Sequence, residues 1–583
     1  MGPMGLAVRQ TKGMTIMKHI LLKCAATVAA VFMGATAAQA AWTYDADAGT
    51  LSDGDYTFNV TLVTLDDPSA SGTTVTGLQI TGLATAGTGE TIDFTSANSE
   101  AGYDVISFAD VNNVYKFLNN APCKTFIAPA MMDLGRMTFR ENKVLESITV
   151  SDKITTFGYY VFENASNLKT FSPTRLPYIT KLTNSNAQNA LYKTAVTGDF
   201  EFPNLTNLEA AQIFYGTSIT SVKMPQIQKI SEHAFRDCKK LTGDFKFDDL
   251  ESVGNCAFMG CNLITSFDAP KAIVKEYAFS GCSSLTNIVV SKELTVIGRN
   301  TFDSCKVTSF EFPKATEIGF QAFQNCSVLT NLNAPAVTIL RNAALYGCKK
   351  LTKIDMPKLE LIEANGVRDM GLFELIAPNV TRVGDNAFMG CKAITNIQLG
   401  AACATNYGDR VYENCEKLVK LEPWPSLLNV TNTGVRNLVN PMSGCKALVG
   451  SIELSGPAGL HTIPQAWMDN CNNITSITIR TPWITNVVQY AVQRLAPGAV
   501  IYWNTKKAPI SFGQSFFSVD GNNRTRIIVK GDMAGWSNAV YNAGLTDSDK
   551  TRSDYPGKKT FGKIRDANAY LVLAPQGFRI VIR

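Results

Sequence analysis

The chain has 583 residues, of which 45% are hydrophobic and 18% charged, the balance of an ordered, folded protein and not of a disordered one. Its formal charge of +5 comes mostly from Arg9, Lys12, Lys18 and Lys23, since residues 41 onward carry 50 basic against 49 acidic side chains. With no dense basic run there is no electrostatic basis for nucleic acid or an anionic bilayer as partner, and past the N-terminus no apolar stretch is long enough to span a membrane.

In chain order, residues 1–40 read as a secretory signal peptide. Lys18 and Lys23 precede an apolar run from Cys24 to Gly34, followed by the small-residue site Ala38-Gln39-Ala40. Met17 opens such a signal by itself, so the true start is equally well placed there. Lys23 stands where a lipid-attachment site at Cys24 needs a small residue, which speaks against a lipoprotein. Residues 41–125 are rich in Thr, Gly, Asp and Ser, with alternating stretches at Tyr56 to Leu65 and Thr74 to Leu83. They predict strands joined by polar turns, forming a β-rich N-terminal module or cap.

From residue 126 to 495 the chain repeats itself. "AFMGC" occurs at Ala257 to Cys261 and again at Ala387 to Cys391. Related copies end at Cys238, Cys282, Cys305, Cys326, Cys348, Cys415, Cys445 and Cys471, and the same slot holds Asn142, Ala165, Thr194, Thr217 and Met370. Self-similarity at a little over twenty residues predicts a solenoid of about fifteen coils, each too small to bury its own apolar face. Within a unit, "LTKIDMP" directs Leu351, Ile354 and Met356 inward as a short strand, which Pro357 ends because it cannot donate to a strand ladder. The "AFxxC" portion fits a short helical turn that sends Phe and Cys inside. The expected core therefore includes Phe235, Cys238, Phe258, Cys261, Phe279, Cys282, Phe302, Cys305, Phe323, Cys326, Cys348, Phe388 and Cys391.

The pattern Leu-x-x-Ile-x-x-Pro followed by Ile-Gly-x-x-Ala-Phe-x-x-Cys, seen best at Leu285 to Cys305 and Val307 to Cys326, resembles the BspA-like leucine-rich repeat family of bacterial surface proteins. The resemblance spans roughly residues 130–495. It implies a right-handed α/β leucine-rich repeat solenoid, secreted or carried on the cell surface and acting in adhesion or recognition, with no cofactor. Residues 496–583 depart from the repeat. They read as a C-terminal β cap and tail ending in "AYLVLAPQGFRIVIR", either a last pair of strands or an export or attachment signal.

Catalytic chemistry finds little support. A cysteine nucleophile needs a base, and beyond the leader only His233 and His461 are present, about ten coils or roughly 48 Å apart at the strand spacing. Cys256 and Cys261 are the only close cysteine pair and lack the other ligands of a zinc site. The acidic run Asp45 to Asp55 lacks the glycine and closing glutamate of a calcium loop. The repeated cysteines are expected to be buried free thiols acting as small hydrophobes, although exported proteins favour disulfides.

Recognition is left to the outward slot near the end of each strand. It holds Thr149, Ser172, Glu201, Lys223, Lys246, Asp268, Val289, Glu311, Asn333, Asp355, Ile376, Gln398, Glu422, Glu453 and Thr478. The acidic and amide members from Asp268 onward, namely Asp268, Glu311, Asn333, Asp355, Gln398, Glu422 and Glu453, form the candidate binding row. Trp424 and Trp483 lie just past it in irregular copies, where inserted loops suit specificity. The expected function is binding of an extracellular protein or glycan. The alternatives are a structural surface or matrix component, or an enzyme in a flanking region.

Overall fold

The computed structural model describes residues 41–97, 102–109, 118–404, 406–423 and 440–454 and, with gaps, 462–503. It also describes strands Ser511–Phe512, Arg526–Val529, Thr560–Lys563, Ala569–Ala574 and Gly577–Ile582. The predicted leader, His461, Trp424 and Trp483 lie outside the described residues.

The N-terminal alternation becomes an antiparallel meander, Thr43–Asp45, Thr50–Ser52, Thr57–Asp66 and Thr74–Thr85, onto which Val105–Phe108 adds in parallel. Phe58 and Val60 point into the core while the outer half of the Thr57–Asp66 strand is mostly exposed. Trp42 packs against Phe94 with the rings tilted and their centres 4.5 Å apart, and its indole N–H donates to Asp93 O at 2.6 Å. Phe94 in turn meets Phe126 edge-on at 5.8 Å. The sheet thus closes the first coil with aromatic surface that would otherwise face water.

The repeats form a parallel β-solenoid of about fifteen turns with almost no helix. The first ladder is built from the Leu-x-x-Ile strands, for example Thr242–Lys246, Leu263–Asp268 and Asn287–Val289. A second stacks two-residue strands such as Val296–Ile297, Glu317–Ile318, Ile339–Leu340, Leu361–Ile362 and Arg382–Val383. The first ladder begins upstream of residue 126, because Thr91–Asp93 already pairs in parallel with Thr125–Ile127. Thirty-odd residues separate these two strands, so the period that reveals the later coils is lost there.

The third side, carrying the AFxxC segment, is not helical. In the copy at 254–261, Cys256, Phe258 and Gly260 donate to Glu276, Ala278 and Ser280 of the next coil at 2.8–2.9 Å. The intervening N–H groups of Ala257, Met259 and Cys261 each turn back to the carbonyl three residues earlier, at 3.1–3.3 Å. The backbone therefore alternates between tight turn and inter-coil ladder. Two residues per coil must adopt positive φ to do this. Cys256 and Gly260 stand at 54° and 75°, which a right-handed helix excludes.

That geometry explains a regularity of the sequence. The residue before each cysteine is Asp237, Gly260, Gly281, Ser304, Asn325, Gly347, Gly390, Asn414, Gly444 or Asn470, all with φ between 58° and 76°. Glycine, asparagine and aspartate enter this region most readily. Asn325→Gly should accordingly change stability by less than about 0.5 kcal/mol, while Asn325→Val should cost about 1–2 kcal/mol. Urea unfolding of the two variants checks the contrast, and equal cost would refute the conformational account.

The interior holds the predicted core. Phe235, Phe258, Phe279, Phe302, Phe323 and Phe388 are fully buried and form a column, with Phe258 parallel to Phe279 at 5.6 Å. Each burial contributes about 1.5–3 kcal/mol. At the far end the strand ladder runs through Gly450–Leu454, Ile474–Ile479, Val500–Trp503 and Arg526–Val529. Gly577–Ile582 pairs with the last of these in antiparallel sense, and Ala569–Ala574 pairs with Gly577–Ile582. The terminal segment thereby covers an edge that would otherwise offer unpaired backbone.

Candidate recognition surface

Within each sheet of the first ladder the outward slots are register partners. Glu201 is the register partner of Lys223, Lys246 of Asp268, and Asp268 of Val289. Glu311 is opposite Asn333, which bridges to Asp355; Ile376 is opposite Gln398, and Gln398 opposite Glu422. Glu453 pairs with Thr478. Neighbouring side chains of the row are thus one strand spacing apart, about 4.8 Å. Val289, Glu311, Asn333, Asp355, Ile376 and Glu422 are exposed, and Asp268 and Gln398 half-buried.

Charge along the row is partly answered locally. Lys292 contacts Glu311 at 2.5 Å, Arg175 contacts Glu201 at 3.5 Å and Lys420 contacts Glu422 at 3.4 Å. Exposed ion pairs of this kind contribute little to stability. Among the row's members Ile376 is an apolar side chain 56% exposed, and Phe373 of the same coil is equally exposed.

Concavities occur where the coil length departs from the norm. Cys391 and Cys415 are 24 residues apart, and the extra chain includes the short 3-10 helix Ala401–Ala404. Beside this coil lies a groove of about 440 Å³ lined by Asn342, Glu363, Arg382, Asp385, Asn406 and Asp409. Glu363 is held there by Arg341 at 2.8 Å and by the Asn342 N–H at 3.0 Å. A second concavity of about 520 Å³ lies against Gly371. The sequence signal for it was present but unread: Met370-Gly371-Leu372 is one residue shorter than Cys348-Lys349-Lys350-Leu351.

The cysteine column has a bonding role beyond filling space. Cys238, Cys261, Cys282, Cys305, Cys326 and Cys348 are buried and unbridged. Each thiol donates to the carbonyl of the aromatic residue one coil earlier, as Cys261 does to Phe235 O at 3.0 Å and Cys326 to Phe302 O at 3.0 Å. Cys391 finds Val367 O at 3.0 Å. Thr194 and Thr217 in the same slot bond instead to carbonyls of their own coil, Leu191 O and Phe214 O, both at 2.9 Å. Burial pushes the thiols of Cys238, Cys282, Cys326 and Cys391 up to about 12, so at neutral pH they are protonated donors and not nucleophiles.

His233 and Cys256 occupy the same slot on adjacent coils. Burial lowers the imidazole's proton affinity and raises the thiol's, and Arg236 contacts His233 Nδ1 at 3.3 Å. Among the described residues no group of three or more His, Cys, Asp or Glu is arranged to hold a metal ion, and no helix is long and apolar enough to cross a membrane. The acidic run serves its own turns: Asp45 accepts the Asp47 and Ala48 N–H groups, and Asp53 those of Asp55 and Tyr56. Asp55 accepts from Thr88 and Gly89, bonds that hold its carboxyl below the usual range.

The profile of the BspA type leucine rich repeat region matches the chain in six copies, over residues 113–211, 209–330 and 316–434. Comparison with curated proteins gives no match. Among solved structures the chain is similar to a leucine-rich repeat protein from Bacteroides ovatus, with 15% identity over 76% of this chain and 93% of that one and a TM-score of 0.31. It is also similar to a leucine rich cell surface protein from Faecalibacterium prausnitzii, with 16% identity over 76% and 91% and a TM-score of 0.27. The pneumococcal vaccine antigen PcpA aligns at 12% identity over 79% and 95%, with a TM-score of 0.28.

Proposed function

Because the chain belongs to the BspA-type leucine-rich repeat family, we propose that it is an exported, non-enzymatic recognition protein of the bacterial surface, binding an extracellular protein or glycan along its solenoid. The observation that carries this reading is the outward row. Side chains from consecutive coils stand in register on a rigid ladder, with buried core behind them. Many weak contacts repeated at fixed spacing add without the ordering cost that a flexible surface would bear. Residues 1–40 would supply export, and Asp268, Glu311, Asn333, Asp355, Gln398, Glu422 and Glu453 the repeated polar contacts.

Cell fractionation together with a binding screen of the purified chain, against extracellular-matrix proteins and a glycan panel, tests this. The expected result is surface or medium localisation and saturable binding to at least one panel member. Polymerisation of the pure protein with no binding to either panel would overturn it in favour of a structural surface component.

A further inference from the structure

The coil that begins at Met370 is one residue short between the cysteine slot and the first inward strand residue. In the coils on either side, those residues form a protruding turn, Lys349-Lys350 below and Lys392-Ala393 above. Each turn is closed by a lysine N–H donating to a glycine carbonyl, Gly347 O or Gly390 O, at 2.8 Å. Gly371 makes no such turn, and the space between its neighbours is the 520 Å³ notch.

A second coil shows that the shortfall alone does not leave a notch. Cys305-Lys306-Val307 lacks the same residue, but there Lys306 covers the site and its Nζ reaches Ser327 Oγ at 3.2 Å. Gly371 cannot be replaced in that way, because a Cβ on it would stand 2.0 Å from Lys349 O. Its glycine keeps the notch open.

The walls are mostly apolar, from Tyr346, Met370 and Ala393, and the rim carries Lys349 and Lys392. Asp369, also in the wall, is held by Arg368 at 3.4 Å, and Lys392 pairs with Glu416 at 3.3 Å. Lys349, with Lys350 and Lys353 beside it, is exposed, and none of the three makes an ion pair among the described residues. Phe373 is two residues from Gly371, hence within about 7 Å along the chain, and is 56% exposed. Volume, apolar wall, uncompensated lysines and an adjacent exposed aromatic together match a side-chain pocket at a protein interface.

We propose that the Gly371 notch is a docking pocket for an extended acidic segment of a partner polypeptide. One aromatic or large aliphatic side chain of the partner seats between Tyr346, Met370 and Ala393, and its flanking carboxylates lie against Lys349, with Lys350 beside it. This rests on the recognition reading above and assigns its partner class.

Full-length protein panned against a phage-displayed random peptide library tests it, with affinities of enriched peptides read by fluorescence anisotropy. Ala393→Trp fills the notch from a half-buried surface position, Lys349→Glu inverts the rim, and Lys239→Glu, an exposed lysine in the corresponding turn of a distant coil, is a remote control. The expected outcome is enrichment of peptides with an aromatic or aliphatic residue next to acids, and a Kd raised at least about tenfold by each of the first two changes and not by the third. Peptides that bind Ala393→Trp as tightly as the parent chain, or that carry basic flanks, overturn the pocket and leave recognition standing. No enriched peptide, with saturable binding to a matrix protein or glycan unaffected by Ala393→Trp, does the same. No binding to any of the three overturns both readings.

Discussion

Raising the pH from 8 to 11 should unfold the solenoid, with the loss beginning above pH 9. The thiols of Cys123, Cys238, Cys282, Cys326, Cys391 and Cys471 are pushed from 9.0 up to about 12 by burial, and those of Cys261, Cys305, Cys348, Cys415 and Cys445 are raised well above 9.0 for the same reason. Raised folded values stabilise fully below the unfolded value of 9.0, and that stability is lost as pH climbs toward 12. Above pH 9 the unfolded chain releases protons that the folded chain retains, so stability falls with pH. At pH 10 each such thiol costs on the order of 1 kcal/mol, and the six with values near 12 together several kcal/mol. That is comparable to the whole stability of an ordinary domain.

Circular dichroism across the pH range reads the midpoint. The double variant Cys238→Ala, Cys326→Ala separates the thiols from other alkaline effects, because its two consequences have opposite sign. It should unfold at lower urea than the parent at pH 7, having lost buried volume and two thiol hydrogen bonds. Its alkaline midpoint should nevertheless shift upward. A midpoint unmoved by removing two thiols would show that the column does not drive the transition.

The period and the inward Phe and Cys slots were legible because burial in a stacked coil repeats at the same sequence spacing. What the side chains do locally was less so. Ala, Phe and Cys at i, i+1 and i+4 suit one face of a helical turn, yet the turns at Cys256 and Gly260 demand positive φ, a backbone property that apolar spacing does not encode. The signal was the Gly, Asn or Asp that precedes every repeat cysteine but Cys305, where Ser304 stands. Cysteine read as a small hydrophobe is half the account, since the inter-coil bond from Cys261 to Phe235 O appears only when coils are stacked. The Gly371 notch escaped because a one-residue shortfall looks the same at Lys306, where it is filled, and at Gly371, where it is not.

Phe258→Ala should cost about 3–5 kcal/mol, toward the upper end. The ring is stacked on Phe235 at 5.2 Å and Phe279 at 5.6 Å and receives Phe267 edge-on at 5.5 Å. Collapse around the void is opposed on three sides. Ser252–Val253 is paired to both neighbouring coils, Leu263–Asp268 likewise, and the backbone there is bonded on both sides, Ala257 O accepting from the Phe235 N–H and the Phe258 N–H donating to Ala278 O. Phe258→Leu should cost less than half as much, because leucine fills the same slot at Leu345 and valine at Val367, both fully buried. In a solenoid each coil touches only its neighbours, so the damage should stay local. Hydrogen exchange of the alanine variant should accelerate through the coils around residues 235–282 and leave those near Phe388 protected. Uniform acceleration along the chain would contradict this and make the whole stack one cooperative unit, in which a cavity at Phe258 would be felt equally at the Gly371 notch.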